Sequence, residues 1–581
     1  MKSSVVRYWP AALATAAILA GCMSMYDSSA GRGAAGGGGG GGSGANTLVD
    51  PDNWDAPGDF ADGSHDNDTS QPPVLPGSDT ADDGRETASH FRAIQIDPVL
   101  EDTAGPKFVR AVDIDGDGYV DLVTGWNQSQ PVQLHLQYRE GNAIRFRTIN
   151  LGGTDPIAIL GGLDVADLNG DGWPDIALAV KHTGHASFCG DALTTWCGLG
   201  RVADPTEQEA DVGQVMILFN PGSAQTIRDG ERWAAVAITE SYLDGRRDRS
   251  YKVGKREPEW NSYTALVTGD LTCDGLPDIA VNFNPAPCED ECEKYPVNRT
   301  VLYTNPGPGG TPAAWAADWA NVPGVWVYAA TGPIIKDLAV SDVDGDGDLD
   351  LIVTHPNQAS GNVSWLINRC TGTANWDECP IGHIDTDADV VEVGDVDGDG
   401  YDDVLVRSTD GAVVQWFKRP TDDGTEPIFP PADPPIPVRD PPSNQAFCSY
   451  PWPVFTIKEF DGRVPEGIGL GDVTGNGQVE AVIAAGGAVF WYQYDPAVPG
   501  GLYDMWIEAF VVDDTKEQGE TADPNSPEFR DQATYINRVL VVDVDGDGYN
   551  DIIGTLDRQT RSGLADDALI WFRNTLGDSR E

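Results

Sequence analysis

Asp113-Ile114-Asp115-Gly116-Asp117-Gly118-Tyr119-Val120-Asp121 decides how the rest of the chain is read. Side-chain oxygens stand at positions 1, 3, 5 and 9 of this stretch, glycines stand at 4 and 6, and Tyr119 at 7 offers a backbone carbonyl. Alternating carboxylates in a tight loop point at one spot, and glycine at position 6 permits the sharp turn. Hard oxygen donors in that number and flexibility suit Ca²⁺ better than the smaller, strictly octahedral Mg²⁺. No Glu stands at position 12; the strand-like Leu122-Val123 comes next instead, so the loop joins strands, not helices.

The register recurs. It returns as Asp167, Asn169, Asp171, Trp173 and Asp175, then as Asp270, Thr272, Asp274, Leu276 and Asp278. It returns again as Asp342, Asp344, Asp346, Asp348 and Asp350, and as Asp395, Asp397, Asp399, Tyr401 and Asp403. The last two copies are Asp472, Thr474, Asn476, Gln478 and Glu480, and Asp543, Asp545, Asp547, Tyr549 and Asp551. Two copies are weaker as cation sites, since Cys273 replaces the glycine at position 4 in one and the copy at Asp472 keeps only two acids. The expectation is up to seven Ca²⁺ sites, five of them strong.

These loops resemble those of the FG-GAP repeats in integrin α-subunit propellers and of the related bacterial VCBS repeats. The resemblance covers roughly residues 90–578 and implies a calcium-binding β-propeller; fold alone says little about activity.

The spacing of apolar runs supports the same architecture. Each loop lies between two short apolar strands, such as Leu338–Ser341 and Leu351–Thr354, and a third comes after them in every repeat. Four of the third strands carry Trp365, Trp416, Trp491 and Trp571, read as packing between neighbouring sheets. Fourth strands are expected at 145–149, 233–238, 325–329, 381–384, 454–458 and 505–511, and the seventh repeat lacks one. The segment 91–96 ahead of the first loop supplies it. Seven four-stranded units closed by a strand from the opposite terminus make an all-β, seven-bladed propeller with the acidic loops between strands one and two. Loop starts lie between 53 and 103 residues apart, and inserts at 181–212 and 241–262 account for the longest interval.

The front of the chain reads differently. Lys2 and Arg7 precede an apolar run from Ala11 to Leu19 that is short for a membrane span. It ends in Leu19-Ala20-Gly21-Cys22, which resembles a bacterial lipobox; by that resemblance 1–21 is a signal peptide and Cys22 the lipidated residue. Met23 stands where Asp would signal inner-membrane retention, so the outer membrane or cell surface is the expected destination. Residues 22–89 are rich in Gly, Ser, Asp and Pro and read as a flexible tether.

At −55 net charge over 581 residues, with 92 acids against 37 bases, nucleic acid is an unsuitable partner. Eight of the nine cysteines remain after Cys22, an even number that favours disulfides in an exported chain. Cys189 with Cys197 and Cys370 with Cys379 are near in sequence; Cys273, Cys288, Cys292 and Cys448 stay unassigned.

Two functions remain. One is a non-catalytic binding or adhesion module for a protein or glycan, touching the membrane only through the lipid on Cys22. The other is a polysaccharide lyase or glycoside hydrolase on the face opposite the acidic loops, where the long connections gather. Its candidates would be His182, His185 and His355, with the basic run Arg246, Arg247, Arg249, Lys252, Lys255 and Arg256 for an anionic ligand. The histidines lack a defined carboxylate partner, and a solvated loop is the plainer reading of the basic run. The Pro-rich stretch 419–442 reads as a stiff connector or a polyproline ligand. No nucleophile elbow, zinc helix, phosphate loop or dinucleotide fingerprint is present.

Overall fold

Leu351-Ile352-Val353-Thr354 and Val363-Ser364-Trp365-Leu366-Ile367 carry no regular polar alternation, the pattern of strands covered on both faces. Both strands are buried along their whole length. The outer strand Val454–Glu459 instead alternates buried and accessible positions. This gradient from covered to half-covered strands is what radial stacking of sheets requires.

The computed structural model describes residues 90–96, 104–127, 131–141, 143–151, 159–182, 214–238, 262–284, 298–307, 318–319, 322, 324–330, 335–355, 362–370, 376–384, 386–420, 452–460, 463–486, 488–495, 506–513, 532–560 and 568–577. The signal segment, Cys22, the tether, His185, the basic run and nearly all of the Pro-rich stretch lie outside the described residues.

Seven antiparallel four-stranded sheets form a seven-bladed β-propeller. Blade 1 is Ala104–Val112, Asp121–Asn127, Gln133–Glu140 and Ala143–Asn150. Blade 2 is Ile159–Ala166, Asp175–His182, Gln214–Phe219 and Ala234–Ala237. Blade 3 is Ser262–Gly269, Asp278–Asn284, Asn298–Tyr303 and Val325–Ala330. Blade 4 is Asp337–Ser341, Asp350–Thr354, Val363–Ile367 and Asp377–Gly382. Blade 5 is Val390–Gly394, Asp403–Ser408, Val413–Phe417 and Val454–Glu459. Blade 6 is Pro465–Gly471, Glu480–Ala485, Ala488–Tyr494 and Trp506–Asp513. Blade 7 is Gln532–Val542, Asp551–Thr560 and Ala568–Asn574, completed by Phe91–Gln95.

The fourth strand of blade 4 departs from the sequence reading, running Asp377–Gly382 where 381–384 was expected. Its first two residues are exposed and acidic, so a search for apolar runs starts too late. Glu378 nevertheless belongs to the strand and accepts hydrogen bonds from Ser364 Oγ at 2.9 Å and Tyr328 Oη at 3.1 Å.

First strands of successive blades touch one another all the way round, the seventh meeting the first. They approach closely where side chains are missing. A Cβ on Gly162 would lie 2.5 Å from the Leu266 backbone nitrogen of the next blade, and one on Gly471 would lie 2.4 Å from Val541 Cγ1. Among the described residues the core is divided into seven layers, each between two adjacent blades. Trp365, Trp416 and Trp571 are fully buried in the layers between blades 4 and 5, 5 and 6, and 7 and 1. Trp491 packs against the layer between blades 6 and 7.

The ring closes as the sequence predicts. Phe91–Gln95 pairs antiparallel with Ala568–Asn574, from Phe91 opposite Asn574 to Gln95 opposite Ile570. The Thr575 backbone N–H donates to the His90 carbonyl at 2.7 Å, and Ile94 and Ile96 are buried in the layer between blades 7 and 1. Ile94→Ala is expected to cost roughly 2–4 kcal/mol in denaturant unfolding. Deleting 90–97 is expected to lower the melting temperature more than deleting 30–80; equal melting of the two deletions would contradict closure.

Candidate functional site

The acidic loops have one backbone design, repeated seven times. The position-1 carboxylate accepts the N–H groups of positions 5 and 6, as Asp113 does from Asp117 at 3.1 Å and Gly118 at 2.9 Å. The loops at Asp167, Asp270, Asp342, Asp395, Asp472 and Asp543 repeat this pair of bonds. The position-5 side chain accepts the N–H of position 7, so Tyr119, Trp173, Leu276, Asp348, Tyr401, Gln478 and Tyr549 are all held through their backbones. Positions 4 and 6 both take positive φ, 71° and 87° at Gly116 and Gly118. Cys273 adopts φ 58° at position 4 of its loop, a conformation costly to a residue with a side chain.

Position 9 ties loop to sheet. Asp121, Asp175, Asp278, Asp350, Asp403, Glu480 and Asp551 open the second strands and are buried. Each accepts the N–H of position 2, at 2.8–3.2 Å. In six blades the other oxygen accepts an N–H from within strand three or just after it, that of Gln137, Asn220, Asn305, Asn368, Arg419 or Asn574. Burial raises their pKa values, to about 8 for Asp121, Asp175, Asp350 and Asp403, about 7 for Glu480 and about 6 for Asp278.

Since positions 1, 5 and 9 serve the backbone in every loop, position 3 sets the loops apart. It is Asp115, Asp344, Asp397 and Asp545 in four loops, and Asn169, Thr272 and Thr474 in the others. The four loops with Asp there are the ones whose carboxylates gather. Oxygens of Asp113, Asp115 and Asp121 lie within 4.8 Å of one another, as do those of Asp342, Asp344 and Asp350, and of Asp543, Asp545 and Asp551. In the loop at Asp395 the gathered set is Asp395, Asp397 and Asp399, without Asp403. The Asp115 and Asp397 Oδ1 atoms are buried and accept no hydrogen bond. A cluster of hard oxygens with a buried oxygen left over fits an oxygen-seeking divalent cation.

Among the described residues, basic side chains reach the loops at Asp113, Asp395 and Asp543. Arg228 approaches Asp115 at 3.4 Å, Arg573 Nε meets Asp545 at 2.6 Å, and Lys418 Nζ donates to Asp397 and, at 2.9 Å, to Asp399. Burial works against the Lys418 ammonium, but its bonds to the two carboxylates hold its pKa above the ordinary lysine value.

Sequence reasoning missed how the loops are wired to one another. Asn305 Nδ2 donates to the carbonyl of Pro277 in its own loop and to that of Leu168 in the preceding blade, both at 2.9 Å. Asn220, Asn368 and Asn574 make the same two kinds of bond. The signal was present as Asn-Pro-Gly at 220–222 and 305–307, just after strand three. Position 7 adds a second contact, since a Cβ on Gly116 would meet the Trp173 ring at 3.2 Å and one on Gly475 the Tyr549 ring at 2.2 Å. Between blades 3 and 4 the link is covalent, a Cys273–Cys370 disulfide. This corrects the pairing of Cys370 with Cys379 expected from sequence nearness; Cys379 is disulfide-bonded elsewhere. Loop folding sets Cys273 against the next blade, which linear spacing does not reveal.

A second polar cluster lies where the first strands meet. Arg110 pairs with Asp164 at 2.9 Å, Asp164 accepts from the Thr268 N–H at 2.7 Å, and Arg538 reaches Asp337 at 3.9 Å. Burial pushes the Glu392 carboxyl up to about 7, against the pull of Arg538 and Arg110. Of the histidine candidates, His355 does not join it; His185 and the His182 side chain lie outside the described residues. His355 is buried, its pKa lowered to about 4 by desolvation, and its backbone N–H bonds the Asn362 carbonyl.

Residues 113–178 and 342–406 match the FG-GAP-like repeat family model. Each match begins at an acidic loop and ends in the second strand of the following blade, so the family unit straddles two blades. No curated protein matches the chain. Among solved structures, BBS1N in complex with ARL6DN, soaked with lead, is similar at a TM-score of 0.38 and 11% identity. That match covers 81% of this chain and 94% of that one, a likeness too distant to inform function.

Asn305→Ala strips the donor from two carbonyls and is expected to cost roughly 2–4 kcal/mol in denaturant unfolding. Without divalent cations, pH should act through position 9. A carboxyl whose pKa is higher folded than unfolded stabilises most below its unfolded value of about 4 and loses that contribution as pH rises through about 8. In chelator, calorimetry should therefore show the melting temperature falling from about pH 6 to about pH 9; a rise would mean these carboxyls are stabilised in ionised form.

Proposed function

We propose that the chain is a calcium-stabilised propeller acting as a non-catalytic binding module for a protein or glycan, held at a bacterial outer membrane or cell surface by a lipid on Cys22. The observation that carries the calcium reading is the gathered oxygen set at Asp113, Asp115 and Asp121 with its unpartnered Asp115 Oδ1. Positions 1, 3, 5 and 9, with the carbonyl of position 7, would hold the ion. It would supply positive charge where carboxylates converge, and like charges a few ångströms apart repel by several kcal/mol even at an effective dielectric of about 20. A ligand that binds only the folded loop raises stability by mass action. The lipobox and tether support the anchoring, and a rigid ring bearing long connections supports the binding role.

One observation favours a second reading, an enzyme acting on an acidic polysaccharide. Glu392, with a pKa near 7, is set among Arg110, Asp337 and Arg538, where a general acid or base and anion-binding groups could meet a sugar acid. Incubation with a panel of acidic polysaccharides separates the two: unsaturated or shortened products would establish the enzyme, and retention on a glycan or protein array without turnover the binding module.

In millimolar Ca²⁺, Asp346→Ala should lower the melting temperature by several degrees and Asn476→Ala should change it little. Indifference of the wild type to chelator, or the reverse order of the variants, would overturn the calcium reading. Cys22→Ser should move the protein from membranes to the soluble fraction; retention through a detergent-free wash would count against the lipid anchor.

A further inference from the structure

We infer that Lys418 is the resident cation of the loop at Asp395, so that this loop is neutralised from within and takes up a divalent ion only when the lysine is removed. The inference rests on the reading of the other acidic loops as calcium sites.

Register sets the lysine in place. In each of six blades one residue stands immediately before the strand-three N–H that binds the position-9 carboxylate. It is Leu136, Phe219, Thr304 and Ile367 in blades 1 to 4, Lys418 in blade 5 and Arg573 in blade 7. Lys418 is buried, and its backbone N–H is fixed on the Pro453 carbonyl at 2.9 Å. The root of its side chain is thereby held at a fixed point of the blade. From that position Nζ donates to both Asp397 and Asp399. The gathered carboxylates also differ: here they are positions 1, 3 and 5, where the loops at Asp113, Asp342 and Asp543 gather positions 1, 3 and 9.

Arg573 provides the contrast. Its Nε meets Asp545, and positions 1, 3 and 9 of that loop stay together. An ammonium is a compact point charge that can enter a carboxylate cage, whereas a planar guanidinium docks on one side. Ca²⁺ entering the loop at Asp395 would meet Lys418 within a few ångströms, and like charges at that range repel.

Calcium stoichiometry by equilibrium dialysis, together with melting in chelator, tests this on the full-length protein. Asp399→Asn should leave the number of bound Ca²⁺ unchanged, whereas Asp346→Asn, at the same position of the loop at Asp342, should lose one. Lys418→Met should gain one Ca²⁺, melt several degrees below wild type in chelator and recover when Ca²⁺ is added. Loss of one ion in Asp399→Asn, or wild-type stoichiometry in Lys418→Met, would overturn the inference. If the wild type and Asp346→Asn both bind no calcium, the calcium reading itself has failed. Lys418 as the loop's own cation then stands or falls on whether Lys418→Met melts lower in chelator.

Discussion

A buried carboxylate at the head of each second strand organises the propeller. It receives an N–H from the acidic loop on one oxygen and, in six blades, an N–H from strand three on the other. Without it two buried donors would lose their partner, and an orphaned buried donor is among the costlier defects in a fold. The charge is dehydrated in return, which is why these groups resist ionisation. Blade 6 shows the tolerance of the arrangement, since the longer Glu480 takes the Thr474 Oγ1 donor at 3.1 Å where the other blades use strand three.

Neighbouring blades depend on one another at every level. Each sheet contributes half of two apolar layers, so no blade can bury its faces alone. The Asn side chains carry the same dependence into the loops, because each satisfies a carbonyl belonging to the blade before it. The two stretches that match a repeat family run from an acidic loop to the second strand of the next blade, so each contains that joint.

Much of this was legible in the chain. Strand count, blade count, closure by 91–95 and the packing of the third-strand tryptophans between blades are set by apolar runs spaced around a repeated loop. The loops themselves were harder to weigh. Asp at positions 1, 5 and 9 reads as metal ligation, yet the same atoms are acceptors for backbone N–H groups even in the loop at Asp472. Position 3 can be read within each loop, but the bases that distinguish the loops further come from elsewhere in the chain: Lys418 lies 21 residues beyond Asp397, and Arg228 lies 113 residues beyond Asp115. Sequence spacing cannot show that strand three delivers a base into one loop and an isoleucine beside another. The Asn contacts and the disulfide were hidden for the same reason, being relations between blades.

Closure by an N-terminal strand also has a mechanical side. Phe91–Gln95 is the outermost strand of blade 7, paired along one edge only. Any tension applied through the residues before His90 therefore enters the ring at that strand, before it can reach any other blade. The Thr575 bonds to the His90 carbonyl sit at the point of entry, and Phe91, Ile94 and Ile96 anchor the strand behind it. The seam that completes the circle is thus also the joint through which the domain would be pulled, and its resistance to rupture sets how hard the propeller can be drawn on before it opens.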